Sequence, residues 1–447
     1  AVIGSGAACP EPGPFVAEWM IAGARPGSEV LMPALLEAFA TSEGLDFVRQ
    51  DEDPTHFLYV LRPADSDSVV ARVRFRVTSA AEGFADLVAE AADISVASRE
   101  PDAAELALAE DAGIGPLSDP SQSRLIALDA LVAVAAPGAA RTEIRPSQLA
   151  ALIAAPGNTP VHLTAPASPA AEALDARLLD PAALAADGTV IRHVDGQSLS
   201  LAVAQDTSAL GVTMLSESAG LQLVALQGAC GAEIRPTRQS VKAEDYPLTI
   251  AHYLYLPRRR LPAMTRDFVA FVTSEAAQET VRGLGFVDQR IEASPLAAQG
   301  DRLTRAILAT GDDVAASALR DMVRGLSGGA RLTPTFRFQD GSADLDAPSR
   351  ANISVVAQAI AAGKFRGAEL LVAGFSDGLG GADANLALSR ERATVVRAAL
   401  EADLPPEIRA QITFADEGFG EALPMACDED AWGRSVNRRV ELWLRQK

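Results

Sequence analysis

The sequence is poor in cysteine, histidine and aromatic residues. Its 447 residues include three cysteines and four histidines, and aromatic residues make up 5% of the chain. The cysteines lie too far apart for a zinc motif with closely spaced ligands. The histidines are scattered without the spacing of a metal site: His56, His162, His193 and His252. We therefore expect no metal site and no cofactor.

Basic charge and long apolar runs are also scarce. The chain has 39 basic and 59 acidic residues, a net charge of −20, which disfavours nonspecific binding to nucleic acid or anionic lipid. No stretch reaches the roughly 18 uninterrupted apolar residues of a membrane-spanning helix. The longest candidate, residues 125–140, contains Asp129 and Pro137 and is more typical of a buried strand with a turn. No basic segment precedes an apolar run at the N-terminus, so we expect any export signal to have been removed.

The residue combinations of common catalytic sites are missing as well. The sequence contains no recognisable nucleophile–base pair, no cluster of metal ligands and no GxxxxGK phosphate loop. We therefore expect a binding protein and not an enzyme.

The length predicts about two to four domains. Residues 1–16 are rich in glycine and proline and form a lead-in. Short strands and helices alternate over the next 270 or so residues, which predicts an α/β architecture. One long helix is expected over residues 267–283, and residues 291–330 are expected to be a helical connector to a last domain over 331–447.

Residues 69–77 have the period-two pattern of a strand. Apolar side chains alternate with Arg72, Arg74 and Arg76, which share one face. One interpretation is a half-buried strand with a solvated basic face. The other is a positive rim beside an anion-binding cleft.

Several segments of the first 290 residues resemble, in order, the phosphate-type substrate-binding proteins of ABC importers. They are residues 27–33 (GSEVLMP), 79–83 (SAAEG), 92–99 (ADISVASR), 209–212 (ALGV), 246–248 (YPL) and 268–286, which ends in Gly-Phe. The resemblance implies two α/β lobes joined by two crossover strands, near residue 127 and over residues 248–255. Lobe 1 would comprise residues 17–127 and 251–290, and lobe 2 residues 128–250, with a ligand between them and an ABC permease as a possible partner.

The same resemblance implies an oxyanion site at helix N-termini, formed by Ser28, Ser79, Arg99 and Ser168. Backbone N–H groups at a helix start can satisfy phosphate oxygens without a counter-cation. Ser28 and Ser79 are alternatively plain N-caps. Two departures count against phosphate: Arg99 stands where phosphate binders commonly carry an aspartate, and residues 165–170 lack the usual Ser-Gly-Thr while Pro169 removes a donor.

The clearest candidate site lies near the C-terminus. A buried strand over residues 370–375 is followed by Asp377, a glycine-rich loop and a helix for which Asp383 is a plausible N-cap. Asn385, Ser389 and Arg392 share one face of that helix. Because helical side chains lean toward the N-terminus, Arg392 is expected to point back toward Asp377. A carboxylate and a guanidinium at one pocket suit a zwitterion.

Residues 374–393 and 437–441 (NRRVE) resemble the OmpA-like peptidoglycan-binding domain. The resemblance implies an α+β fold of βαβαβ type with helices on one face of the sheet. It also implies that Asp377 and Arg392 bind the free amino-acid head of diaminopimelate, helped by Asn385, Ser389 and Arg438, because only one of Arg438 and Arg439 can face the site. The alternative is a plain Asp377–Arg392 salt bridge between loop and helix.

This resemblance implies a Gram-negative periplasm, with the protein attached to the cell wall or outer membrane. In an oxidising compartment one cysteine pair is expected to form a disulfide, and we predict Cys9 with Cys230. Residues 6–9 (GAAC) are only faintly similar to a lipoprotein cleavage site, so lipidation is not expected. The leading hypothesis is a wall-tethered periplasmic binding protein for phosphate or another small oxyanion. The alternative is an envelope-organising or interaction protein whose front module has lost its ligand.

Overall fold

A computed structural model describes residues 16–166, 168–177, 190–309, 314–339, 342, 344–429 and 431–446. The predicted lead-in, apart from residue 16, and Cys9 lie outside these ranges. None of the helices in the described ranges has both the length and the apolar character needed to cross a bilayer.

Lobe 1 begins with five strands in the order β2-β3-β4-β1-β5, which form one end of a 13-stranded sheet that continues into lobe 2. In β4, Val73 and Phe75 are buried while Arg74 is exposed. Arg74 lies 3.9 Å from the carboxylate of Glu52, so the basic face of this strand pairs with surface acids. The structure thus favours the half-buried strand over a positive rim. The elements of this part are β1 Ala17–Ala24, α1 Met32–Ser42, β2 Leu45–Asp51, β3 His56–Pro63, β4 Ala71–Thr78, α2 Ala80–Val88, β5 Ile94–Ala97 and α3 Ala103–Asp111.

Lobe 2 follows, and its first strand is shared with lobe 1. Its elements are β6 Ser123–Ala135, β7 Glu143–Ile144, α4 Pro146–Ala154, β8 Val161–Thr164, α5 Pro169–Arg177, β9 Ile191–His193, α6 Gly196–Ala204, β10 Leu210–Met214, β11 Gln222–Gln227, β12 Glu233–Ile234 and α7 Arg238–Lys242. The chain then returns to lobe 1 through β13 Thr249–Tyr255, α8 Ala263–Phe271 and α9 Glu275–Gly283.

The two long strands β6 and β13 connect the lobes. Residues 123–130 of β6 pair with β13, whereas residues 131–134 pair with β10 of lobe 2. The first crossing therefore lies between residues 130 and 131, and the chain returns to lobe 1 through β13. The module is a two-lobed α/β structure whose lobes are joined by two strands.

The predicted helix over residues 267–283 is wrong in one respect, because it is two helices, α8 and α9. The chain breaks between them, and the Ser274 hydroxyl accepts a hydrogen bond from the Ala277 N–H at 3.2 Å. Serine in this position caps a new helix, and apolar periodicity alone did not reveal it.

The C-terminal part contains a five-stranded sheet in the order β14-β15-β18-β16-β17. Its elements are β14 Ala293–Pro295, α10 Gly300–Ala309, α11 Ala316–Leu326, β15 Gly329–Phe336, α12 Ala347–Ala361, β16 Ala368–Phe375, α13 Ala382–Ala402, α14 Pro406–Arg409, β17 Thr413–Gly418, α15 Ala431–Asn437 and β18 Arg439–Gln446.

Helices cover both faces of this sheet. Leu370 and Val372 of β16 pack in the cluster with α12 and α13, while Leu371 and Phe375 pack in another with Met322 and other residues of α10 and α11. The expectation of helices on one face is therefore incomplete. Residues 293–326, read from the sequence as a connector, supply an edge strand and the second helical layer.

The C-terminal domain is docked on lobe 2. Arg331 makes two hydrogen bonds to the Asp245 carboxylate, at 2.6 and 2.8 Å, and both side chains are buried. A disulfide joins Cys230 of lobe 2 to Cys427. The predicted Cys9–Cys230 pairing is wrong, because the fold brings together two cysteines that are 197 residues apart.

Candidate binding sites

The C-terminal candidate site lies at the end of β16. Beyond Phe375 the chain forms a loop in which Gly380 has a φ of +101°, a conformation that favours glycine. Helix α13 then begins with Gly381 as its N-cap. The predicted cap, Asp383, lies instead in the first turn, where its charge favours the helix dipole.

Two glycines let α13 lie directly on the sheet. A Cβ on Gly374 would lie 1.9 Å from the Ser389 carbonyl oxygen, and one on Gly418 would lie 2.5 Å from the Arg390 nitrogen. Any side chain there would push the helix away. This close approach fixes the helix face that carries Asn385, Ser389 and Arg392.

Ser389 has a positioning role and is not on the surface of the site. It is fully buried, donates a hydrogen bond to the Leu386 carbonyl at 2.8 Å and accepts one from the Gly420 N–H at 2.9 Å. Its hydroxyl thus ties the loop after β17 to α13. The predicted direct contact of Ser389 with a ligand is not available in this geometry.

The acid of the site is paired with an arginine other than the predicted one. Arg438 Nη1 donates a hydrogen bond to Asp377 Oδ2 at 2.9 Å. Alternation at the start of β18 turns Arg439 the other way, where it is fully buried and bonded to Glu441 at 2.7 Å. Arg438 is therefore the member of the pair at the site.

Arg392 has an unfilled donor. Its Nη1 is buried and makes no hydrogen bond, and its guanidinium lies 5.4 Å from the centre of the Phe338 ring. Burial, and then the charge of Arg438, lower the pKa of Arg392. No Asp377–Arg392 salt bridge is present among the described residues. The region beside Arg392 and Arg438 is consequently suited to a carboxylate.

Asn385 and Ser376 add further unfilled groups. Asn385 is 4% exposed, and neither its Nδ2 nor the Ser376 hydroxyl makes a hydrogen bond. Buried polar atoms normally have partners, so unfilled ones at a loop–helix junction are typical of a ligand site.

Asp428 is a second acid that sequence reasoning missed. It accepts hydrogen bonds from the Gly378 N–H at 3.0 Å and from Asn437 Nδ2 at 2.8 Å, and burial raises its pKa. Asn437 in turn accepts from the N–H groups of Met425 and Ala426. The asparagine of the NRRVE motif thus organises the loop opposite Asp377. The NRRVE motif drew attention to Asn437, but residue spacing could not predict the contact between Asn437 and Asp428.

The four residues that were predicted to bind an oxyanion in the front module instead make hydrogen bonds within the protein. Ser28 is fully buried, and its hydroxyl donates to the Gly23 carbonyl at 2.5 Å. Ser79 accepts from the Glu82 N–H at 3.2 Å as the N-cap of α2. Ser168 accepts from the Ala171 N–H at 3.1 Å at the start of α5. These contacts agree with the capping alternative for Ser79, and Ser28 is not an N-cap at all.

Arg99 is already bound to a carboxylate. Its two terminal nitrogens donate to both oxygens of Glu105, at 2.7 and 2.8 Å, and the pKa of Arg99 is raised chiefly by that pairing. A bidentate pair leaves little positive charge for an incoming anion.

Acidic groups lie at the crossover between the lobes. Asp129 of β6 is fully buried and accepts a hydrogen bond from the Ser216 N–H at 3.0 Å. Burial, and then the charge of Asp129, raise the pKa of Glu217 to about 7. A negative charge on Asp129 would repel an anion that entered at this place.

Comparison with known proteins identifies the C-terminal domain. Residues 337–438 match the OmpA family. This part of the chain is an OmpA domain. The probable lipoprotein YiaD of Escherichia coli (strain K12) is 32% identical over 143 residues, which are 30% of this chain and 62% of that relative. The chain thus spans less than two thirds of that relative's length.

Solved structures resemble each part. An ABC-type phosphate transport receptor from Vibrio cholerae is 14% identical and matches 60% of this chain and 99% of its own, with a TM-score of 0.44. The peptidoglycan-associated lipoprotein from Burkholderia pseudomallei is 27% identical and matches 25% of this chain and 89% of its own, with a TM-score of 0.22.

Proposed function

We propose that the protein binds peptidoglycan through its OmpA domain. The observation that carries the proposal is the unfilled, buried donor of Arg392 beside the Asp377–Arg438 pair. Diaminopimelate in the wall peptide has a free amino-acid head with one carboxylate and one ammonium. Its carboxylate would accept hydrogen bonds from Arg392, and its ammonium would pair with Asp377.

The electrostatics of the pocket support this orientation. Arg392 and Arg438 repel each other across a partly dry site, so a carboxylate placed beside them relieves that repulsion and fills Nη1 of Arg392. Hydrogen bonds between ionised partners contribute about 1.5–3 kcal/mol each. Asp377 is 8% exposed, which lets it remain an ion partner with little competition from water.

We propose the bacterial envelope as the location, with the protein in the periplasm and held at the cell wall or outer membrane. The OmpA domain supports this placement, as does the similarity to a relative named as a probable lipoprotein. The proposed activity is binding without catalysis.

For the front module the geometry favours an envelope-organising or interaction protein over a binding protein for a small oxyanion. Binding of phosphate or another oxyanion, and delivery to an ABC permease, need free donors in the cleft. Ser28 donates to a backbone carbonyl and Arg99 is bound to Glu105. We therefore propose a two-lobed module that serves envelope organisation or protein interaction.

Sedimentation with purified sacculi tests the wall-binding proposal. Asp377→Ala and Arg392→Ala should each remain in the supernatant, whereas the unchanged protein should pellet with the sacculi. Arg390→Ala is a matched control, because Arg390 lies on the same helix and is exposed. Pelleting of both pocket variants at the level of the control would refute the proposal.

Calorimetry with phosphate separates the two interpretations of the front module. We expect no saturable heat at millimolar phosphate. Stoichiometric binding, weakened by Ser79→Ala and unaffected by Arg392→Ala, would restore the oxyanion hypothesis.

A further inference from the structure

A cavity of about 630 Å³ lies where the two lobes and the OmpA domain meet. Lobe 1 contributes Glu100, lobe 2 contributes Glu172, and the OmpA domain contributes Asp346 and Trp432, while β13 forms one wall with Tyr253. Pockets for small organic molecules have volumes of about 300–1,000 Å³. The cavity is distinct from the Asp377–Arg392 pocket, with which it shares no lining residue.

The lining of this cavity has an excess of negative charge. Its carboxylates belong to Glu100, Glu172, Glu244 and Asp346, and its guanidinium groups belong to Arg99 and Arg337. Both cations are already paired: Arg99 with Glu105, which is outside the lining, and Arg337 with Glu244 at 3.3 Å.

Glu172 is left without a hydrogen bond on its inner oxygen. Its Oε2 is buried and has no partner, and burial raises the pKa of the side chain. Asp346, by contrast, caps α12 by accepting from the Ser349 N–H at 2.9 Å. Glu172 is therefore the acid of the lining best placed to pair with a cation.

Tyr253 supplies an independent observation. It is 2% exposed, and its hydroxyl makes no hydrogen bond. Tyr246, in the same lining, donates a hydrogen bond to the Leu131 carbonyl at 3.1 Å. A buried tyrosine in this region can therefore have a hydrogen-bond partner for its hydroxyl. Burial, and then Tyr255, Glu100, Asp346 and Glu244, raise the pKa of Tyr253.

The geometry distinguishes an organic cation from a metal ion. Among the described residues, no three lining carboxylates approach one another closely enough to chelate one ion. Trp432, which is half-buried, presents an aromatic surface of the kind that attracts ammonium groups.

We propose that this cavity binds a small organic cation that carries ammonium groups on a short apolar chain. Glu172 pairs with one ammonium group, the Tyr253 hydroxyl accepts a hydrogen bond from a second, and Trp432 packs against the chain that joins them.

Calorimetry on the full chain at constant ionic strength, with spermidine and cadaverine as probes, tests the proposal. We expect saturable one-to-one binding of at least one probe. Tyr253→Phe should weaken it about tenfold, which corresponds to about 1.4 kcal/mol, and Glu172→Gln should weaken it by at least as much. Glu110→Gln is the control, because Glu110 is an exposed acid on α3, and its affinity should not change.

A thermal melt without ligand gives Tyr253→Phe a second readout. Since the hydroxyl has no partner to lose, the variant should melt at the same temperature as the unchanged protein or higher, although it binds the amine less tightly. The absence of saturable heat at millimolar concentrations of both probes would overturn the proposal. So would binding that neither variant weakens, because such binding would be attraction to the general negative charge. The proposal that the OmpA domain binds peptidoglycan is tested separately by sedimentation with sacculi and does not depend on these results.

Discussion

Two arginines that the sequence assigned to anion binding have opposite environments. Arg99, in the two-lobed module, forms a bidentate pair with Glu105. Arg392, in the OmpA domain, has a buried Nη1 without a partner and lies near a second cation, Arg438. An arginine beside a candidate pocket therefore marks an anion site only if the fold leaves its donors unfilled.

The contrast extends to the surroundings of each arginine. The crossover region of the two lobes concentrates carboxyl groups, among them Asp129 and Glu217. In the OmpA domain Asp377 and Asp428 instead accept hydrogen bonds from neighbouring groups, and the pocket keeps unfilled donors from Arg392, Asn385 and Ser376. The first arrangement disfavours an anion and the second favours one.

The largest expected effect concerns the charges that support the OmpA pocket without lining it. Glu441 is fully buried and accepts hydrogen bonds from Arg302 and Arg439, and it lies 3.4 Å from Arg331. Glu441→Gln leaves these buried cations under-compensated and should lower the free energy of unfolding by about 3–5 kcal/mol. Denaturant unfolding measures the loss.

The exposed acid Glu407 offers a matched control for that experiment. Glu407→Gln should change stability by less than about 0.5 kcal/mol. If the Glu441→Gln protein were as stable as this control, the ion pairs of Glu441 would contribute little to stability. The distinction between charges that support the fold and charges that bind a ligand would then not hold.

A second, smaller effect concerns the acids of the two-lobed module. The folded-state pKa of Glu217 is about 7, against an ordinary value of 4.5. Between these pH values the folded protein holds a proton that the unfolded chain releases, so stability is highest below about pH 4.5 and falls as the pH rises toward 7.

Glu217→Gln should remove this part of the pH dependence. The variant should gain about 2 to 3 kcal/mol relative to the unchanged protein between pH 4.5 and 8, at about 1.4 kcal/mol per pKa unit. Chemical unfolding at several pH values measures the difference. Parallel stability curves for the two proteins would contradict the acidic character assigned to the crossover.

The smallest effect compares the two arginines directly. Arg99→Ala loses a partly exposed ion pair and should cost about 1 kcal/mol of stability. Arg392→Ala removes a buried donor that has no partner, so its stability without ligand should be unchanged or slightly higher. Thermal melts of both variants measure this, and an equal loss in the two would remove the distinction between them.

The sequence predicted what local spacing determines. The period-two pattern of β4 and the shared face of Asn385 and Arg392 follow from strand and helix geometry, whereas the two crossover strands were implied by the family resemblance. Alternation along a strand allowed only one of Arg438 and Arg439 to face the pocket, and the structure shows that it is Arg438.

Contacts between distant segments could not be read in this way. The Cys230–Cys427 bond and the position of Asp428 depend on how separate loops meet. The connector was predicted to be helical, but the packing of its two helices on the sheet was not predicted, for a related reason. Their apolar faces are short, and only the second face of the sheet explains why Met322 is buried.

The central claim is tested most directly by calorimetric titration of a soluble diaminopimelate-containing wall peptide into the unchanged protein, Arg392→Ala and Arg99→Ala. We predict that Arg392→Ala weakens binding at least a hundredfold, about 2.7 kcal/mol, and that Arg99→Ala leaves the affinity unchanged. Equal affinity of the Arg392→Ala variant and the unchanged protein would contradict the assignment of this pocket.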